Sequence, residues 1–181
     1  MLEAQEIGLV YWDNSYNSTM LLTLAIIIAL FTSLRFFSGA VSNVDPSFEL
    51  TQKDNAAYGI SFAGVVFGVT LVLSGVIPNN WAMPLTESLI SVGVYGVVGI
   101  VLMALTRIIF DRIALPNIHI REEIVRGNVA AAIVDAGNVV AAGVVIHALM
   151  AWVATNTLDG LVSLLLIYAV SQALLTAVAV V

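Results

Sequence analysis

Asp135 is the one carboxylate set deep inside a long apolar run, and the matching position of an earlier, similar run holds Phe62. A carboxylate in lipid is costly. By default it marks an ion or proton route, or a polar contact buried between helices. Asn138, three residues on, shares its helix face. Asp135 and Asn138 therefore form the candidate intramembrane polar site, and two chemistries fit it. They share a proton or hold a cation between helices, or a neutral or paired aspartate ties helices together. His147 lies twelve residues from Asp135, which is about 120° around a helix and ~18 Å along it. It falls outside that site and reads as a polar core or interface residue. Gln172, with Ser171, is a candidate to face Asp135 from a later run.

Two amides form the second constellation. Lys53-Asp54-Asn55-Ala56-Ala57 recurs 73 positions on as Arg126-Gly127-Asn128-Val129-Ala130, and each copy opens a long apolar run. At that offset Glu49 matches Glu122, Asn55 matches Asn128, and Ala63-Gly64 matches Ala136-Gly137. The repeat motif is thus Glu49, Asn55, Gly64 and Gly68 in the first copy and Glu122, Asn128 and Gly137 in the second. An amide at the membrane boundary can bond the other copy or a helix-end carbonyl. The spacing alone establishes no contact between glutamate and asparagine. Gly64 and Gly68 above Ala57 and Ser61, and Ala136-Gly137 with Ala141, make small-residue ridges that let helix backbones approach closely in lipid. Asp45-Pro46 and Pro116-Asn117 carry helix-start chemistry, so each repeated helix is expected to begin before its asparagine. Its first turns, Ser47–Asp54 and Ile118–Gly127, would lie at the interface.

The elements that position these residues follow from composition. With 60% hydrophobic and 10% charged residues in 181, the chain belongs in a bilayer, since soluble domains average roughly 25% charged. Five stretches are long enough to span: Met20–Phe37, Ala56–Ile77, Leu89–Ile109, Val129–Val153 and Leu161–Val181. Lipid cannot satisfy free backbone groups, and the short alternating strands of a barrel are missing, so the spans are helices. The expected fold is an all-α polytopic bundle built from parallel tandem helical hairpins. Residues 1–19 form a short outer segment, 20–77 and 78–154 the two hairpin repeats, and 155–181 a fifth span. The fifth span opens like the third, as though starting another unit. It ends in apolar sequence at Val181, as expected of a truncated chain.

All six basic residues, Arg35, Lys53, Arg107, Arg112, Arg121 and Arg126, flank the connections between spans one and two and between spans three and four. Those connections should face the cytoplasm, with the amino terminus outside. Trp12, Trp81 and Trp152 fall at the opposite boundaries, where indole rings prefer the headgroup layer. The acidic, non-basic amino terminus does not resemble a cleaved signal. A net charge of −6 argues against a nucleic-acid partner. Zero cysteines exclude thiolate metal sites and cysteine nucleophiles. Phosphate-binding, dinucleotide and metalloprotease motifs are missing too, so neither catalysis nor a cofactor is expected.

The doubled pattern, Glu49-Leu50 through Asn55-Ala56-Ala57 to Ala63-Gly64 and Gly68, and Glu122 through Asn128 to Ala136-Gly137, resembles the DUF350 family of bacterial inner-membrane proteins. The resemblance implies a multi-pass protein of the cytoplasmic membrane with unassigned activity. Relatives in that family are often encoded near membrane-stress proteins and ATP-grasp ligases, so the resemblance points toward envelope maintenance. Ala141 stands where the second small position has glycine, and Asp135 is not part of the family pattern, so no role for it carries over. The expected function is non-enzymatic assembly in the membrane. It would act by homo-oligomerisation, through a membrane-protein partner, or by docking a cytoplasmic partner on the Arg107–Arg126 connection. The alternative is an ion or small-solute channel or transporter using Asp135 and Asn138.

Overall fold

The computed structural model describes residues 14–42, 45–77, 84–114, 118–154 and 157–180, and these are helical apart from short connections. In chain order the helices are α1 (Asn14–Ser42), α2 (Pro46–Thr51), α3 (Ala56–Val76), α4 (Leu85–Ile90), α5 (Gly96–Ile109), α6 (Ile120–Val125), α7 (Val129–Trp152) and α8 (Leu158–Val180). Among the described residues four stretches are long and apolar enough to cross a membrane: Ala56–Val76, Thr86–Ala114, Val129–Trp152 and Leu158–Val178. A shorter apolar stretch, Ser18–Thr32, lies within α1. The third run of the sequence is longer than expected, because α4 and α5 are continuous through a π-helical stretch, Ser91–Tyr95, and a second one, Phe110–Ala114, extends α5. Trp152 stands highly exposed at the end of α7. Trp12, Trp81 and the Pro116-Asn117 start signal lie outside the described residues.

The asparagines do not sit inside helices as expected. The charged first turns are separate short helices, α2 and α6, and a residue with left-handed backbone follows each: Asp54 at φ 47° and Gly127 at φ 91°. Glycine takes that conformation freely, and aspartate is among the few other residues that tolerate it. The chain turns there, and the next residue caps the membrane helix. Asn55 Oδ1 accepts from the Tyr58 amide at 3.1 Å and Asn128 Oδ1 from the Ala131 amide at 3.3 Å. An N-cap amide satisfies a backbone donor that the first helical turn leaves open. Asp45 does the same for α2, accepting from Ser47 at 2.8 Å with Pro46 in the first turn.

The tightest packing joins α3 to α7. Their contacts advance together, Ser61 with Asp135, Gly64 with Ala136, Gly68 with Val139 and Gly143, and Gly75 with His147, so the two helices run in the same direction. A Cβ added at Gly64 would lie 2.6 Å from Ala136 Cβ, and one at Gly143 2.8 Å from the Gly68 carbonyl oxygen. The backbones touch because these positions carry almost no side chain. Gly137 departs from the expected ridge. It is exposed, a Cβ there would meet nothing within 4 Å, and Ala141 is exposed beside it. Ala136 takes the seam instead, because adjacent helical residues point ~100° apart. Beyond the seam the core continues through Val69, Val72, Leu73, Val139 and Ile146 to Leu102 and Met103 of α5 and Leu164 of α8.

Candidate functional site

Asp135 is closed off by the helices around it. Arg107 of α5 reaches across with both ends of its guanidinium, donating from Nε to Oδ1 at 2.8 Å and from Nη2 to Oδ2 at 2.7 Å. Ser61 of α3 donates its hydroxyl to Oδ2 and accepts from Arg107 Nη2 at 3.3 Å. The Asp135 side chain is 2% exposed and that of Arg107 26%. Bidentate arginine–carboxylate pairs are strong and directional, and in lipid each partner satisfies what the other could not leave bare. One carboxylate thus ties three helices together at a single level.

Asn138, the expected partner, forms no hydrogen bond with Asp135. Its Nδ2 is buried without a hydrogen-bond partner among the described residues. Gln172 does not face Asp135 either. Its Oε1 accepts from Thr106 Oγ1 at 2.9 Å, and Tyr168 Oη lies 2.8 Å from the same Thr106 oxygen, so a second polar cluster joins α8 to α5. His147 Nδ1 lies 3.0 Å from the Leu71 carbonyl oxygen and 3.1 Å from Ser74 Oγ, an interhelical contact near the far end of the same seam. Among the described residues no three His, Asp or Glu side chains converge as metal ligands would.

Arg107 is the residue that sequence reasoning missed, having assigned it to a connection. The match of depth that links the two emerges only because the third span runs on to Ala114, past the Ile109 end that the sequence suggests. Asp135 lies six residues inside the start of α7 and Arg107 seven residues before the end of the third span at Ala114. At 1.5 Å per residue both sit ~9–10 Å in from the same end of the bundle. Two opposite charges at equal depth in lipid have strong cause to meet.

A second site lies at the helix starts. Glu49, 4% exposed, accepts from Asn55 Nδ2 at 2.8 Å and from Lys53 Nζ at 3.0 Å. Those two donors also bond the carbonyl end of α6: Asn55 Nδ2 reaches Ile124 O at 3.0 Å, and Lys53 Nζ reaches Val125 O at 3.0 Å. Cations and amides suit that end, where helix carbonyls lack partners. The second copy differs. Asn128 Nδ2 bonds Glu123 at 3.0 Å and not the matched Glu122, which is exposed and pairs loosely with Arg126 at 3.6 Å. Only five residues separate Glu123 from Asn128 where six separate Glu49 from Asn55, because the turn after α6 is one residue shorter. A constant offset therefore matched the wrong glutamate.

Burial pushes the Glu49 pKa up, but the Asn55 hydrogen bond and the Lys53 hydrogen bond and charge outweigh it and hold it below the ordinary value. A depressed carboxylate adds stability above its unfolded pKa and loses it as pH falls through the folded one. Acidification below about pH 4.3 should therefore loosen the α2–α6 clasp, and Glu49→Gln should flatten that part of a melting profile recorded against pH. Asn55→Ala removes a cap, worth about 0.5–2 kcal/mol, together with its own bonds to Glu49 and to the end of α6, leaving only Lys53 to reach Val125. Asn128→Ala removes a cap and one exposed contact, so in thermal melts Asn55→Ala should be clearly the more damaging.

Helices of membrane-crossing length, sealed together by a bidentate ion pair within the apolar layer, define a multi-pass membrane protein. Residues 11–150 match the sequence profile of Domain of Unknown Function DUF350, and the chain belongs to that family. Arg107, Asp135, Ser61 and both capping asparagines fall within the matched region, whereas α8 lies beyond it. No curated protein and no solved structure matches the chain.

Proposed function

We propose that this protein is a non-catalytic, assembly-forming component of the bacterial inner membrane that serves envelope maintenance, through copies of itself or a membrane partner. The observation that carries this reading is the closure of Asp135: a carboxylate held by a bidentate arginine and a serine hydroxyl is a structural fastener. A solvated relay would leave it open to water. In this reading the chain makes five spans with its amino terminus outside. Two like-oriented hairpins enter lipid from the arginine-bearing side, as the shared direction of α3 and α7 supports. A cytoplasmic partner would meet the connection that ends at Arg126. Arg107 is turned into the bundle and takes no part in that surface.

Crosslinking in native membranes followed by purification in detergent tests the proposal. Copies or a reproducible partner should be captured, and a strictly monomeric, partner-free chain would overturn it. A conduit through Asp135 and Asn138 is the second reading, favoured by the buried, unpartnered Asn138 Nδ2. It requires cation or proton flux in reconstituted vesicles that Asn138→Ala reduces. The assembly reading expects no such flux.

A further inference from the structure

The last helix leaves a groove against the third span. It measures ≈ 640 Å³ and is lined by Ile109 and Ile113 on one side and Ala169, Gln172, Ala173 and Thr176 of α8 on the other, within the roughly 300–1,000 Å³ typical of ligand clefts. α5 and α8 run side by side in one direction, since Leu102 and Thr106 meet Tyr168 and Thr106 meets Gln172. The groove therefore runs lengthwise from about the level of Arg107 to the end of the bundle where Ile113 and Thr176 lie. Its surface is almost wholly apolar.

One charge adjoins the Ile113 end of this groove in the sequence, although it is not itself among the lining residues. Arg112 falls between the two lining isoleucines, is exposed, and forms none of the ion pairs found among the described residues. The neighbouring Asp111 forms no ion pair with it. Its Oδ1 is buried, within electrostatic reach of Arg107, Asp135 and Arg121. An apolar trough with an exposed arginine, outside every ion pair among the described residues, next to its last lining isoleucine matches a phospholipid in both parts. The trough takes an acyl chain and the guanidinium takes a phosphate, as basic sites between spanning helices do for anionic headgroups. A second copy of this chain fits less well. The only acid in α8 is Asp159 in its first turn, at the opposite end from Thr176, so a docked copy of α8 brings no counter-charge to Arg112.

We propose that this groove is a binding site for an anionic phospholipid, its acyl chain lying between α5 and α8 and its phosphate held by Arg112. This inference does not depend on the assembly reading.

The test is native mass spectrometry of the full chain, purified in detergent with equal amounts of phosphatidylglycerol and phosphatidylcholine. The chain should retain phosphatidylglycerol several-fold over phosphatidylcholine. Arg112→Ala should abolish that preference, and Arg126→Ala, at an exposed arginine already paired with Glu122 and Glu123, should keep it. Ala173→Phe fills the trough from an exposed position without disturbing the core, and should lower retention of both lipids. Equal retention of the two lipids by the unmodified chain would overturn the proposal, as would a preference that survives Arg112→Ala. So would an Ala173→Phe chain that keeps its lipid but loses a dimer, which would make a second copy the occupant.

Discussion

Replacing Asp135 with alanine is expected to destabilise the chain by about 3–5 kcal/mol, the range seen when one partner of a buried ion pair is removed. The loss is that of the compensation and not of the attraction alone, because Arg107 keeps its charge among apolar helices. Its side chain is 26% exposed, so it can stretch partly toward interfacial water, which places Asp135→Ala near the lower end. Arg107→Ala should be worse at neutral pH. It leaves a carboxylate 2% exposed with only the Ser61 hydroxyl for company. Changing both residues separates a fastener from a working charge. Arg107→Met with Asp135→Leu swaps the pair for apolar side chains of similar bulk, an exchange that is often neutral or stabilising. The double variant should therefore melt near the unmodified chain in detergent while each single variant melts far below it, and it should still form the same crosslinked assemblies. A double variant that folds but no longer assembles would show that the charges do more than join helices.

The sequence was most readable where physical constraint was strongest. Spanning helices were visible because a bilayer demands long apolar runs, and Asp135 was visible because a carboxylate there needs a reason. Gly64 and Gly68 could be assigned to a helix contact from their spacing along one face. Adjacent small residues defeated the same reasoning at Ala136 and Gly137: they point in different directions, and only the partner helix decides which faces inward. The capping role of Asn55 and Asn128 was hidden because start signals upstream, Asp45-Pro46 and Pro116-Asn117, made each copy read as one helix running through its asparagine. The chain reversal rests on one backbone angle, at Asp54 or Gly127. The Glu49 clasp was out of reach for another reason, since its acceptors are backbone carbonyls of Ile124 and Val125, which any residue type would supply.

The α3–α7 seam sets the second large effect. At Gly64 an added methyl meets Ala136 Cβ at 2.6 Å and its Cα at 2.7 Å, and at Gly143 it meets the Gly68 backbone at 2.8 and 2.9 Å. None of those neighbours can rotate away, so the helices themselves must part. Overpacking of this kind costs about 1–3 kcal/mol, more than the ~1 kcal/mol that alanine gains over glycine in a helix interior. Gly64→Ala and Gly143→Ala should therefore both lower the melting temperature in detergent. Gly137→Ala should leave it unchanged or raise it, because the same helix gains propensity there without a clash. Gly64→Leu should do the most damage. Ser61 lies one turn away on the same helix, and prising α3 from α7 at Gly64 also pulls the serine from Asp135 and opens the ion pair to water. Its effect should therefore shrink in the Arg107→Met, Asp135→Leu background, where no charge is left to expose. A loss of equal size in both backgrounds would mean that seam and ion pair are independent, and that the glycines serve only the approach of two backbones.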